Sequence, residues 1–120
     1  MLTAQCHCGN ISLIADETPE TITECNCSLC GRFGARWAYF KVSQIKINEN
    51  TARNDTYRWG DGDIDFHFCP NCHCLTHYTG TGKPNEQDRF AINTRMSPDS
   101  ETTSIRIRHF DGADTWAYID

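Results

Sequence analysis

The sequence predicts an all-β fold of short antiparallel strands that is stapled by zinc. Short apolar or aromatic segments are separated by turns rich in glycine, proline and aspartate, which is typical of β proteins. No amphipathic pattern long enough for a helix of three turns is found. Eight cysteines fall into close sets that suit metal ligation. A chain of 120 residues is expected to form one domain over residues 1–120.

The individual strands are predicted from apolar alternation and from the turn residues between them. Ile64 to Phe68 alternates with period two and runs into a Cys-Pro-Asn-Cys turn, after which Leu75 to Tyr78 returns as a hairpin. Further strands are predicted at residues 11–15, 22–24, 35–40, 42–47, 56–59, 89–93 and 104–110. A turn is predicted at Gly31–Gly34, and a short helical turn at Ser43–Gln44. Turns or polar connections are predicted at residues 5–9, 16–21, 48–54, 80–87 and 97–103.

Charge and hydropathy exclude several partners. The formal net charge is −5 and there is no basic run, so no nucleic-acid partner is expected. The first residues have neither a basic nor an apolar region, which predicts that there is no signal peptide. No apolar run approaches the roughly 20 residues that cross a bilayer, so no membrane partner is expected. A cytoplasmic location follows as a prediction.

The cysteines are interpreted as zinc ligands because a chain without an export signal is not expected to hold four disulfides. The alternatives are disulfides and a site for an iron–sulfur cluster or another metal. The thiols divide into two pairs, one triplet and the single Cys74. The simplest partition joins the two pairs into one closed, four-coordinate structural zinc site formed by Cys6, Cys8, Cys69 and Cys72.

The triplet Cys25, Cys27 and Cys30 is left with three thiolates, and three protein ligands with one open position are typical of a catalytic zinc site. A fourth protein ligand from elsewhere would close it. The residues that could supply that ligand are Cys74, His7, His67, His73 and His77.

The ordered cysteine series resembles the glutathione-dependent formaldehyde-activating enzyme (GFA) family, also called the CENP-V/GFA domain. The matching blocks are Cys6-His7-Cys8-Gly9, Cys25-Asn26-Cys27-Ser28-Leu29-Cys30, Phe68-Cys69-Pro70-Asn71-Cys72, Arg89 to Met96 and His109-Phe110-Asp111-Gly112. His73 and Cys74 depart from the family, which usually has glycine and then a small polar residue there.

The resemblance implies an Mss4-like (β-tent) fold with two zinc ions per chain. It assigns the structural zinc to the two cysteine pairs and a second, catalytic zinc to the triplet. It also implies a carbon–sulfur lyase that condenses formaldehyde with glutathione to S-hydroxymethylglutathione. The expected partners are therefore a small thiol, glutathione, and a small aldehyde.

Substrate contacts are predicted from charge and aromatic residues. The side chains that could pair with substrate carboxylates are those of Arg32, Arg36 and Arg95. The alternative for each is an ordinary solvated surface position. Trp37, Tyr39 and Phe40 could line a pocket or pack in the core. Seven zinc-bound thiolates and two zinc ions would bring the net charge to about −8. This charge opposes an anionic substrate unless local arginines compensate, and it does not oppose a neutral aldehyde.

Two other functions are consistent with the residues alone. The first is a non-catalytic zinc-stapled β scaffold that acts as a protein- or thiol-binding module. The second is a redox or metal-storage role for the thiol-rich segments. A second zinc with a fully thiolate, four-ligand shell would favour the scaffold.

Overall fold

The computed structural model describes residues 1–50 and 55–120. These residues contain short strands and very little helix. The strands are β1 (Leu2–Gln5), β2 (Ile11–Ala15), β3 (Thr21–Cys25), β4 (Trp37–Lys41), β5 (Ile45–Glu49), β6 (Asp55–Tyr57), β7 (Ile64–Phe68), β8 (Leu75–Gly80), β9 (Arg89–Asn93) and β10 (Arg106–Phe110). The helices are α1 (Ser28–Phe33) and α2 (Asp99–Thr102), with 3-10 turns at Val42–Gln44 and Thr94–Met96. The predicted all-β fold class is confirmed.

The strand predictions differ from the structure at a few places. Strands β2, β7 and β9 have the predicted bounds, but β1 was not predicted, because only Leu2 and Ala4 alternate there. The strand predicted at residues 42–47 is wrong for residues 42–44, which form a 3-10 turn, and the connection predicted at residues 97–103 contains α2. The turn predicted at Gly31–Gly34 is wrong for its first three residues, which belong to α1. A polar connection was predicted at residues 48–54. Strand β5 occupies the start of this segment, up to Glu49, and residues 51–54 lie outside the described residues.

The strands form two sheets. One has three strands in the order β1-β2-β5, and the other has seven in the order β10-β3-β4-β9-β8-β7-β6. The pairs are antiparallel except β10 and β3, which are parallel, with Phe110 opposite Cys25. Because of this register, the residues that follow β10 lie next to the cysteines at the end of β3 and just after it.

The three-stranded sheet covers one face of the seven-stranded sheet. Leu2 and Leu13 of the small sheet pack in one buried cluster with Phe40, Phe90 and Ile92 of the large sheet. Side chains alternate across a strand. The neighbours of Phe40 in β4, Trp37 and Tyr39, therefore face the other side, where they pack with Phe66 and Tyr78. That second face carries the candidate site.

Two histidines are stacked in the large sheet. The ring of His77 lies between those of His67 and Phe90, at centroid distances of 4.3 and 4.8 Å. The Nδ1 atom of His77 is 2.7 Å from Thr76 Oγ1. Burial, together with the neighbouring His67, lowers the pKa of His77 well below its usual value of 6.5. The native protein therefore holds His77 neutral.

We expect this histidine to weaken the fold in acid. Below about pH 6.5 the unfolded chain binds a proton at His77 that the native state excludes, so the free energy of unfolding falls with pH by up to about 1.4 kcal/mol per unit. His77→Gln should lose this contribution to the slope. Denaturant titrations of the wild-type protein and the variant at pH 7.5 and 5.5 would measure the slope. Any effect of acid on the thiols occurs in both proteins and therefore cancels in the comparison. Equal slopes for the two would contradict the expectation.

In the part of the chain that the structure describes, no helix has the length and apolar character that a membrane crossing requires.

Candidate metal centre and aromatic cavity

The first cluster consists of Cys6, Cys8, Cys69 and Cys72, and it joins the end of β1 to the turn between β7 and β8. All four sulfur atoms lie within 4.8 Å of one another. The Sγ atoms of Cys6 and Cys8 are 3.7 Å apart, and those of Cys8 and Cys69 are 3.6 Å apart. Sulfurs that share a tetrahedral zinc at about 2.3 Å are separated by about 3.8 Å. The cluster therefore has the donor set and spacing of a zinc site.

Backbone N–H groups point at these sulfurs. Ile11 donates to Cys6 Sγ at 3.3 Å, and Cys72 donates to Cys69 Sγ at 3.4 Å. Burial raises the pKa of Cys6 to about 11. Burial also opposes ionisation of Cys72, but the N–H groups of Cys74 and Cys8 outweigh it and lower the pKa of Cys72 to about 5. Thiolate and thiol are thus mixed in one cluster, and a divalent metal would release the remaining protons.

Cys74 lies beside the first cluster and not beside the triplet. Its carbonyl oxygen accepts the N–H of Cys69 at 3.0 Å, and its side chain packs against Cys6, Ile11 and Cys69. The preceding residue, His73, has φ of 64°, a conformation that favours glycine. Glycine would adopt this conformation more readily than histidine does.

The second cluster consists of Cys25, Cys27 and Cys30, whose sulfurs also lie within 4.8 Å of one another. Cys25 ends β3, and Cys27 caps α1 by accepting the N–H of Cys30 at 3.3 Å. Helix α1 ends at Phe33 and is capped by Gly34, whose φ of 64° suits glycine. One six-residue helix therefore brings Cys30 back to Cys27 and Cys25. Among the described residues, no histidine, carboxylate or further thiol joins this group.

Burial opposes charge on the second cluster. It raises the pKa of Cys30 to about 12 and also raises that of Cys25. At Cys27 burial is outweighed by N–H groups of Cys30 and Leu29 and by neighbouring thiols, so its pKa is lowered. The indole N–H of Trp37 is buried and has no hydrogen-bond partner among the described residues, and it lowers the pKa of Cys30 against the larger effect of burial. This donor fits a metal-bound, deprotonated Cys30.

The C-terminal segment, residues 111–120, is anchored on the second cluster by Asn26. The side chain of Asn26 donates to Asp111 Oδ1 at 3.0 Å and accepts the N–H of Ala113 at 3.0 Å. Asp111 Oδ2 also accepts the hydroxyl of Thr115 at 2.8 Å, and the Asp111 carbonyl accepts the N–H of Trp116. These contacts hold Trp116 next to the cysteines.

Gly112 is the point of closest approach, and replacing it with alanine should disturb the second cluster. A Cβ at this position would lie 2.6 Å from Cys25 Sγ and 3.2 Å from Cys27 Cβ. We expect Gly112→Ala to weaken metal binding at this cluster by about 10- to 100-fold, the effect of removing a group that supports a metal ligand. Zinc titration followed by elemental analysis would measure it.

The matched control is Gly80→Ala, because a Cβ at Gly80 comes no closer than 4.0 Å to another atom. This variant should bind as much zinc as the wild-type protein. Unchanged zinc affinity in Gly112→Ala would contradict the close contact seen in the structure.

The second cluster opens into a cavity of about 460 Å³, here called the aromatic cavity. Trp37, Tyr39, Phe66 and Tyr78 of the large sheet form its floor, and Arg89 lies at its edge. Phe110, Trp116 and Tyr118 also line it. Two further lining residues are Ile64 of β7 and Trp59 of the loop before β7. A larger hollow of about 610 Å³ beside β1 has no cysteine, histidine or charged residue among its described lining residues.

The three arginines predicted to contact substrate lie outside the described lining of the aromatic cavity. Arg36 pairs with Glu24 at 2.5 Å, and Arg95 Nη2 is 4.0 Å from the same carboxylate. Arg32 donates to the Ser28 carbonyl on α1 at 2.8 Å. Contact between these arginines and a substrate stays a prediction.

Sequence reasoning missed several residues of the cavity. Arg89 belongs to a predicted strand, and its contact with the Tyr39 ring, 4.2 Å from the ring centroid, depends on the pairing of β4 with β9. Trp116 and Tyr118 come from the C-terminal segment, which carries no periodic signal. Trp59 was predicted to end a strand at residues 56–59, but β6 ends at Tyr57 and Trp59 lies in the loop that follows. One signal in the sequence could have indicated them. Trp59 and Trp116 lie in polar segments, where a tryptophan is not expected to be part of the core.

Comparisons with known proteins give this chain a family and a shared fold. The family model described as glutathione-dependent formaldehyde-activating enzyme matches residues 1–110. A crystal structure of a Rhodobacter sphaeroides protein from a structural genomics programme has a TM-score of 0.66 and 20% sequence identity. The match covers 88% of this chain and 98% of that one, which shows that the two share a fold. Because the family model spans nearly all of the sequence, the chain belongs to the glutathione-dependent formaldehyde-activating enzyme family.

Proposed function

We propose that this protein is a zinc-dependent carbon–sulfur lyase that reversibly joins a small aldehyde to a thiol at the second cluster. The observation that carries the proposal is that three thiols, and no fourth ligand among the described residues, face an open cavity. Family membership supports glutathione and formaldehyde as the pair. The first cluster would hold a structural zinc, and the second would hold a catalytic one.

The residues in and around the second cluster would have different roles in the reaction. Cys25, Cys27 and Cys30 would hold the zinc, which when bound supplies Lewis acidity and keeps a thiol substrate deprotonated at neutral pH. The indole N–H of Trp37 would keep Cys30 in its charged form. The aromatic walls would exclude water from the reacting groups.

The reaction needs no further reactant. The thiol sulfur bonds to the carbonyl carbon, and the carbonyl π electrons move to the oxygen. That oxygen takes up the proton that the thiol released, and the product is a hydroxymethyl thioether. Seven of the eight cysteines lie in the two clusters, where they would act as metal ligands and not as disulfides. This supports a reducing compartment, and we propose the cytoplasm.

The test measures zinc and activity on the same preparation. Two zincs per chain, one with three sulfurs and a nitrogen or oxygen by X-ray absorption, are expected. Formaldehyde and glutathione should then form S-hydroxymethylglutathione faster than the uncatalysed background. A fully loaded protein that gives no acceleration would contradict the proposal and favour a zinc-stapled binding scaffold.

A further inference from the structure

The walls of the aromatic cavity suit a flat apolar ligand. Its floor contains Trp37, Phe66 and Tyr78, which are packed edge-to-face or tilted with ring centroids 4.8 to 6.0 Å apart. Trp116 of the C-terminal segment and Trp59 of the loop before β7 remain 72% and 45% exposed although both line the cavity. Exposed tryptophans that line a cavity lose water contact when an apolar group enters it.

The backbone of Trp116 supports this reading. Trp116 has φ of 58°, which is uncommon for a bulky residue. Its ring packs against Phe110 at a centroid distance of 5.1 Å, and its N–H is bound by the Asp111 carbonyl at 2.7 Å. An unfavourable backbone conformation that keeps an apolar ring exposed is typical of a binding site.

One positive charge faces this cavity. Arg89 is the single charged side chain among the described lining residues, apart from the cysteines. Its Cζ lies 4.2 Å from the centroid of the Tyr39 ring, and Tyr78 lines the same cavity. No carboxylate of the described residues pairs with Arg89, whereas Arg36 pairs with Glu24 and Arg58 with Asp65. Its guanidinium is therefore available to a ligand carboxylate.

This charge arrangement fits glutathione poorly. Glutathione has two carboxylates and one ammonium group, and one arginine can balance only one of them. The remaining charges would lose water against aromatic walls without a partner, which is unfavourable. The chain itself has a net charge of −5, which adds to the cost of a second carboxylate.

We propose that the aromatic cavity binds a ligand with a flat apolar body, preferably an aromatic ring, and a single carboxylate that pairs with Arg89. The inference rests on the proposed function for the reaction itself and differs from it in the substrate, which would be a ring-bearing monocarboxylate in place of glutathione. The ring and carboxylate belong either to the thiol or to the aldehyde, since both reach the same cavity.

Tryptophan fluorescence tests this inference directly, because all three tryptophans of the chain line the cavity. The zinc-loaded protein is titrated with phenylacetate, 2-phenylethanol, acetate and S-methylglutathione, none of which has a thiol or an aldehyde. Phenylacetate should bind at least about tenfold more tightly than each of the others, because it alone combines the ring with a single carboxylate. Equal affinity for phenylacetate and 2-phenylethanol, or tighter binding of S-methylglutathione, would overturn the inference.

Variants separate the contribution of Arg89 from the fold. Arg89→Gln should remove the preference for phenylacetate over 2-phenylethanol, and Arg89→Lys should retain part of it. The control is Arg106→Gln, which changes an exposed arginine of β10 outside the described lining and should leave the preference unchanged. Circular dichroism and zinc content confirm folding of each variant. A preference that survives in folded Arg89→Gln would contradict the assignment.

Activity assays then identify which substrate carries the ring. One pair is formaldehyde with 4-(mercaptomethyl)benzoate, another is 4-formylbenzoate with 2-mercaptoethanol, and the third is formaldehyde with glutathione. Acceleration greatest for either of the first two supports the inference and assigns the ring. Acceleration only of the glutathione pair, with weak phenylacetate binding, would overturn the ligand class and leave the lyase reaction standing. Tight phenylacetate binding with no accelerated pair would support the ligand class and reject the lyase reaction.

Discussion

Replacing Cys69 with serine is expected to unfold the protein or to reduce its free energy of unfolding by more than about 4 kcal/mol, the range reached when a structural metal is lost. Cys69 is fully buried, and its sulfur lies 3.6 Å from Cys8 across 61 positions of sequence. A metal at this cluster ties the three-stranded sheet to the large sheet, so its binding free energy becomes folding free energy. Denaturant unfolding with and without a chelator would measure the loss.

Cys74→Ser is the matched control for this prediction. Cys74 lies on the same hairpin and packs against Cys69, but its sulfur is not one of the four in the first cluster. It should therefore keep both zincs, and chelator should destabilise it as much as the wild-type protein. If Cys69→Ser were as stable as Cys74→Ser, the first cluster would not be a structural metal site.

The second large effect is expected at Cys30. Serine at this position should reduce the zinc content from two ions per chain to one and lower the rate of adduct formation at least about 100-fold. Such a loss corresponds to the several kcal/mol that a Lewis-acid metal contributes. Elemental analysis and the formaldehyde–glutathione assay, or the ring-bearing pairs, would show it.

The fold should survive this change, because Cys30 belongs to α1 and the first cluster uses other elements. Far-ultraviolet circular dichroism should therefore match that of the wild-type protein. A Cys30→Ser protein that is folded, has one zinc and retains full activity would exclude the second cluster as the reaction site.

The sequence predicts most strands because their signal is local. Ile64 to Phe68 and Arg89 to Asn93 have the predicted bounds, since one is alternating and the other is apolar between polar neighbours. Helix α1 has only six residues, includes a glycine and is capped by the thiol of Cys27 in place of a usual capping residue. Its pattern therefore could not be distinguished from a turn.

The grouping of the cysteines was also predictable from the sequence. Thiols that are one or two residues apart come together through a local turn, and two pairs complete one four-ligand shell. The structure brings together the predicted quartet and the predicted triplet. That metal occupies them stays a prediction that zinc analysis would test.

The surroundings of the triplet depend on contacts that no local pattern encodes. The sheet order brings Arg89 to Tyr39 and leaves Arg36 with Glu24, and the parallel pairing of β10 with β3 brings Trp116 onto the cysteines. Short-range periodicity specifies strands and ligand turns because each depends on neighbours a few residues away. The walls and charge of the cavity are decided by residues that are tens of positions apart and meet only when both sheets have formed.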